Sequence, residues 1–259
     1  MYNLILEMLS DNEKEKYNRQ IIIPKFGVEG QLKLKKSRVL IIGLGGLGSA
    51  ALHYLVVAGV GQIGILDKDE VELSNLNRQI LHYEKNVGEI KTTSAINKIS
   101  KLNLDVEIKE INTHLNQENI EKIISDYDFV VEASDNFETK FLVNDTCVKL
   151  KKPVVIGGVH QFEGQMITVI PKKTACYRCV FREIPIKGTY PTTSEEGIMG
   201  TTAGVFGIIE ANEAVKFLVF DDLDKLLVNR ILYMDIQYNT FETFRVEKDE
   251  SCIICSTNE

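Results

Sequence analysis

The sequence predicts an α/β fold with a mostly parallel sheet and an antiparallel extension in its second half. Three observations predict it. Short apolar runs alternate with helical patterns as far as Gly158, a glycine-rich turn joins the first run to a helix, and after Val159 the rhythm changes. Alternation of this kind makes strand–helix–strand units, whose crossovers are right-handed and whose strands lie parallel.

The elements follow in order. Arg38–Ile42 is the first strand, and Gly46–Ala58 is the helix that the glycine turn opens. Gln62–Leu66 is the second strand, followed by a helix over Ile90–Leu102 and a strand over Val106–Ile111. A short helix at Asn119–Ser125 leads to the strand Phe129–Ala133, and a helix at Asn136–Leu150 leads to the strand Val154–Gly158. Beyond it, Gly164–Ile170, Ile231–Ile236 and Phe241–Val246 read as strands of a more antiparallel section, with one apolar helix near Thr202–Phe220 between them. Phe181–Gly200 mixes Pro and Gly with Thr, Ser and Glu and reads as a long irregular loop, the kind that is often functional. No repeat or flexible linker divides the chain. One domain is expected over residues 1–259, with a nucleotide-binding half at about 17–158 and an elaborated half at about 159–255.

Composition narrows the class. The chain is 44% hydrophobic and 26% charged, an ordinary balance for a globular domain with a sizeable core. Its net charge of −7, without a long basic run, argues against a nucleic-acid partner. The most apolar long segment, Thr201–Phe220, is broken by Glu210, Glu213 and Lys216, so it reads as a core helix and not a membrane span. The N-terminus has no basic region followed by a cleavage site, and a cytoplasmic protein with no membrane partner is expected.

Gly43-Leu-Gly-Gly-Leu-Gly48 follows a strand and opens a helix, the setting in which Gly43, Gly45, Gly46 and Gly48 let a backbone approach phosphate. Asp67 closes the second strand, where an acid accepts hydrogen bonds from ribose hydroxyls, so the first half is Rossmann-like. These features alone equally suit a nicotinamide-dependent oxidoreductase. Arg19, Arg78 and Lys91, together with Asp135 and Asn136 at a strand's carboxyl edge, suit a triphosphate with Mg²⁺ better, because Arg and Lys neutralise phosphate oxygens and Asp is a hard ligand for Mg²⁺.

Four of the five cysteines form two pairs, Cys176-x-x-Cys179 and Cys252-x-x-Cys255. Two such pairs suit tetrahedral thiolate coordination of one Zn²⁺. Cys147 falls inside a helical pattern and reads as a buried, inert thiol. His53, His82, His114 and His160 have no metal-ligand spacing and read as packed or solvated.

From Tyr17 to Cys255 the chain resembles the MoeB/ThiF/HesA family, bacterial relatives of ubiquitin-activating enzymes. The resemblance is carried by Tyr17-Asn-Arg-Gln-Ile21, the Gly43–Gly48 loop, Leu66-Asp67, Ser74-Asn-Leu-Asn-Arg-Gln79, Val87-Gly-Glu-Ile-Lys91, Ser134-Asp-Asn136, Glu163-Gly-Gln165 and the two cysteine pairs. It implies an adenylyltransferase that uses ATP to activate the C-terminal glycine of a small ubiquitin-like sulfur-carrier protein ending in Gly-Gly, in a molybdopterin- or thiamine-type pathway. It implies further that the glycine loop holds phosphate and Asp67 the ribose. Asn75, Arg78 and Lys91 would bind the triphosphate and Asp135 would hold Mg²⁺. Arg19 would reach into the partner's site in a homodimer. The zinc would be structural, tethering the C-terminal segment to the body. Many relatives carry a further cysteine in the long loop, where this chain has Thr193 or, one register on, Ser194. That departure implies adenylation without a thioester or persulfide step on this chain, with no sulfurtransferase segment following Cys255. The competing classes are a nicotinamide-dependent oxidoreductase and a non-catalytic binding partner of a ubiquitin-like protein.

Overall fold

The computed structural model describes residues 8–186, 188–189 and 193–256, with the side chains of residues 193 and 194 outside that set. Three short helices come first: α1 (Asp11–Lys16), α2 (Asn18–Ile21) and α3 (Gly27–Lys36). Then β1 (Arg38–Ile42), α4 (Gly46–Ala58), β2 (Gln62–Leu66), α5 (Lys91–Ile99), β3 (Glu107–Ile111), α6 (Ile120–Ser125), β4 (Phe129–Glu132), α7 (Phe137–Leu150) and β5 (Val154–His160) complete the alternating part. The remainder is β6 (Glu163–Val169), α8 (Tyr177–Val180), α9 (Thr193–Glu196), α10 (Gly200–Val219), β7 (Arg230–Asp235) and β8 (Thr240–Arg245).

All strands among the described residues join one sheet in the order β3-β2-β1-β4-β5-β6-β7-β8. The first five run parallel, and from β5 onward every pairing is antiparallel. The α/β class, the parallel sheet and the antiparallel C-terminal strands thus match the expectation. Chain order reverses between β1 and β4, and such a switch point opens a crevice at the carboxyl ends of the strands.

Period-two burial divides the core between the two sheet faces. Val39, Ile41, Ile63, Ile65, Phe129, Val131 and Val155 point to one face, which α4 and α10 cover. Leu40, Ile42, Leu66, Val130, Val154 and Ile156 point to the other, with Phe141 and Cys147 of α7. The long apolar helix is therefore a core helix, as its interrupting charges required. No helix among the described residues is long and apolar enough to cross a membrane.

The N-terminal helices were not anticipated. Their signal is a capping box: the Ser10 hydroxyl accepts from the Glu13 N–H, and the Glu13 carboxylate accepts from the Ser10 N–H at 2.7 Å. Boundaries differ from expectation by a few residues where caps intervene. The helix expected over 90–102 is shorter because Ser100 caps α5, and Asn136 is the cap of α7, its side chain accepting from the Thr139 N–H. The loop expected over 181–200 contains the short helix α9.

Candidate functional site

The carboxyl ends of β1, β4 and β5 open into a cleft of about 1000 Å³. Gly43, Gly45 and Gly46 form one wall. Gly43 takes a φ of +92°, a conformation that glycine supplies without strain. A Cβ on Gly48 would overlap the Gly43 carbonyl oxygen, so this glycine serves close packing of helix against turn and does not line the cleft. A Cβ on Gly45 would meet nothing within 4 Å, so its open side faces space that a ligand can fill.

Asp67 sits behind this loop, 8% exposed. One carboxylate oxygen accepts from the Leu44 N–H at 2.7 Å and the other from the Asp69 N–H at 2.9 Å. It thereby ties the glycine loop to the end of β2, a structural task that the sequence reading did not assign. Lone pairs remain for ribose hydroxyls.

Lys91 is 7% exposed at the first turn of α5. Its ammonium lies 3.0 Å from Asp69 and 4.0 Å from Asp67. Two acids thus hold a nearly buried cation in the cleft wall, ready to meet an anion. Arg78 lines the same wall, its guanidinium donating to the Ser74 carbonyl and the Asn77 side chain. Asp135 and Asn136, just after β4, line the same cleft, both exposed.

Besides Gly48, two sequence-expected residues lie off the cleft lining. Asn75 is buried, and its side-chain oxygen accepts from the Glu72 N–H at 3.1 Å, which shapes the turn carrying Arg78. Arg19 is exposed on α2 and is not among the residues that line the cleft.

Other residues of the cleft had no sequence assignment. Gln79 is 3% exposed, and its side-chain oxygen has no hydrogen-bond partner among the described residues. His160 reaches the Glu196 carboxylate at 2.9 Å, joining the end of β5 to α9. Lys140 on α7 lines the floor. His82 lies behind the wall with its Nδ1 against the Ser94 hydroxyl, and burial, helped by Lys91 and Lys98, pulls it down to about 4. It is therefore neutral near pH 7 and fits the packed reading. Beyond Gly158 the cleft continues as a more apolar channel past Tyr177, Phe181, Ile186, Ile231 and Tyr233.

The two cysteine pairs meet. The four sulfurs of Cys176, Cys179, Cys252 and Cys255 lie within 4.8 Å of one another. Cys176 and Cys252 are 3.6 Å apart, and Cys179 and Cys255 are 3.4 Å apart. Tetrahedral zinc with Zn–S near 2.3 Å sets sulfurs roughly 3.8 Å apart, so the donor set and spacing fit that ion. Burial and the neighbouring sulfurs push the Cys176 thiol up and burial takes Cys255 to about 12, whereas at Cys252 burial is outweighed by hydrogen bonds from the Cys255 and Ile254 backbone, which lower it. A bound dication would favour the thiolate form of such a cluster. Cys147 is completely buried and burial raises its thiol strongly, in keeping with an inert side chain.

The ThiF family model matches residues 17–254. The chain is similar to the adenylyltransferase and sulfurtransferase MOCS3 of Culex quinquefasciatus, 43% identical over 251 residues that cover 96% of this chain and 57% of that protein. It is also similar to the sulfur carrier protein adenylyltransferase of Thermus thermophilus, 40% identical over 248 residues that cover 94% of this chain and 91% of that one. The chain spans little more than half the length of the MOCS3 relatives it matches. Among solved structures, E. coli MccB superposes with a TM-score of 0.83 at 23% identity, covering 96% of this chain and 74% of that one, a likeness of fold.

Proposed function

The chain belongs to the ThiF family, and on that premise we propose that it is an ATP-dependent adenylyltransferase for the C-terminal glycine carboxylate of a small ubiquitin-like sulfur-carrier protein. One observation carries the reading. A glycine-loop cleft with a nearly buried cation opens at the switch point and runs on into a channel, which gives room for a nucleotide and, end-on to it, an extended peptide tail. Relatives named for adenylyl transfer, one of them for a sulfur carrier protein, support the same substrate class.

The residues divide the work by charge. The Gly43–Gly46 backbone faces phosphate, Asp67 the ribose, and Arg78 and Lys91 the triphosphate oxygens. Asn75 acts through the turn that carries Arg78. Asp135 would hold Mg²⁺, with Asn136 fixing the adjoining helix end. When bound, Mg²⁺ neutralises charge on the phosphates. A carboxylate oxygen of the carrier attacks the α-phosphorus, the bond from that phosphorus to the bridging oxygen breaks, and pyrophosphate leaves. No general base is needed, since a carboxylate is already ionised near pH 7. Catalysis is positioning and electrostatics.

Arg19, exposed and away from this chain's cleft, would complete the site of a second copy in a homodimer. The four-cysteine cluster would hold a structural Zn²⁺. It occupies four of the five cysteines and Cys147 is inaccessible, which supports adenylation without a thiol-linked step on this chain.

Pyrophosphate exchange tests the reading. A small protein ending in Gly-Gly should stimulate ATP–pyrophosphate exchange, and Asp135→Ala should nearly abolish it. Near-normal exchange in that variant would sink the metal assignment. Thermal stabilisation by NAD in place of Mg·ATP would move the chain to the oxidoreductase class.

A further inference from the structure

Lys140 is 5% exposed, and a lysine so deeply placed needs an acceptor for each ammonium proton. It has three: the Glu132 carboxylate at 2.7 Å, the Ser134 carbonyl at 2.7 Å and the Gly157 carbonyl at 2.6 Å. Of these acceptors only Ser134 lines the cleft, while Glu132 and Gly157 are each next in sequence to a lining residue, Ala133 and Gly158. Glu132 ends β4, Ser134 immediately precedes Asp135, and Gly157 lies in β5 beside Gly158. The other oxygen of Glu132 accepts from both the N–H, at 3.1 Å, and the hydroxyl of Ser134. Every polar group of residue 134 is therefore gripped by one buried ion pair.

Stability alone is a weak reason for such a pair. A buried salt bridge replaced by well-packed apolar groups is often neutral or stabilising. A turn next to an exposed Asp135 could also satisfy its backbone with water. What the pair adds is a fixed geometry for that turn relative to β5. A third acid, Glu210 of α10, presses on Gly157 from the opposite side, where a Cβ would stand 2.5 Å from its carboxyl oxygen. Neither of its oxygens has a regular hydrogen-bond partner among the described residues, and its burial raises its pKa well above the carboxylate range, opposed by Lys140 and reinforced by Glu132. A carboxyl so raised competes less for the Lys140 charge, which Glu132 meets at 2.7 Å.

We propose that Lys140, paired with Glu132, is a positioning residue that sets the Ser134–Asp135 turn against the carbonyl edge of β5, so that the Asp135 carboxylate meets the metal-bound triphosphate. This rests on the proposed metal role of Asp135. The stem of Lys140 also underlies Gly158, with its Cε 3.9 Å from where a Cβ would stand, so the same side chain ties the turn to the floor of the channel.

Calorimetric titration with ATP, in Mg²⁺ and separately in EDTA, tests this without a carrier protein. Asp135→Ala and Lys140→Met should each weaken ATP binding in Mg²⁺ at least tenfold, and by less than threefold in EDTA. A merely structural loss would weaken both equally. If Lys140→Met does not fold, Glu132→Gln carries the test, since it keeps the side chain's size and removes its charge. The same selective loss in Mg²⁺ is expected, and an unchanged affinity overturns the proposal. A defective Asp135→Ala beside a wild-type-like or equally weakened Lys140→Met overturns the positioning role alone. An Asp135→Ala variant that binds Mg·ATP normally overturns the metal assignment, and the positioning role with it.

Discussion

The two halves of the molecule build their parts of the site by opposite means. In the parallel half, cleft-lining groups come from short contiguous stretches: a turn after β1, the end of β2, the turn of residues 74–79 and the start of α5. In the antiparallel half, the cysteine cluster joins residues from two distant segments, and the channel wall draws on β6, α8 and β7. Local turns fix backbone N–H groups and charges with little help from distant contacts. The second half needs long-range closure, and a metal ion is one way to offset the chain entropy that closure costs.

The contrast predicts separable failures. The largest effect is expected from Cys252→Ser or from chelation. Losing a structural zinc should lower Tm on the order of 10 °C, while ATP binding at temperatures below the transition changes little. Loss of ATP binding in step with the C-terminal segment would show that the two halves are one cooperative site.

Next come two glycines of one loop. Gly48→Ala places a methyl group on the Gly43 carbonyl and should destabilise the fold by about 2–4 kcal/mol, read by urea unfolding. Gly45→Ala meets no protein atom, so its stability should stay within about 0.5 kcal/mol of wild type while ATP affinity falls. Equal loss of stability in both variants would remove the assignment of Gly45 to ligand approach.

Lys91→Ala should weaken ATP binding by about 10- to 100-fold, the range of a charge-assisted hydrogen bond lost from a mostly buried site. Calorimetry would show it, and a change under twofold would move the triphosphate elsewhere.

The smallest effect concerns Glu210. Its carboxyl is raised in the folded state, so the unfolded chain releases a proton near pH 4.5 while the folded chain keeps it. The wild type is therefore favoured below that pH and loses stability as pH rises toward the raised folded value. Glu210→Gln removes the dependence. It should gain on the wild type between about pH 5 and pH 8 in thermal melts, and a gap that narrows with rising pH would contradict a protonated Glu210.

These differences also explain what could be read from the sequence. The sheet, its parallel order and most helices follow from apolar periodicity, and the glycine loop, Asp67, Arg78, Lys91 and Asp135 line one cleft because each sits in a local segment after a strand, at the strand's end, in a turn or at a helix start. The cysteines were legible because paired spacing signals shared coordination even across a long separation. The network of the Glu132–Lys140 pair was not, since its four members, Glu132, Ser134, Lys140 and Gly157, come from β4, the following turn, α7 and β5 and share no spacing rule. Nor was the double duty of Asp67, whose bonds to the Leu44 and Asp69 N–H groups exist only once the loop has closed. The capping box at Ser10 was present in the sequence as Ser-x-x-Glu and is the one missed signal that local rules supply.

Mass spectrometry of a small protein ending in Gly-Gly, incubated with this chain, Mg²⁺ and ATP, is the most direct measurement of adenylyl transfer. The carrier should gain one adenylyl group, and a carrier lacking its terminal glycine should gain none. An unmodified carrier, with ATP bound and Asp67 and Lys91 intact, would contradict the activity and leave the chain as a nucleotide-binding partner.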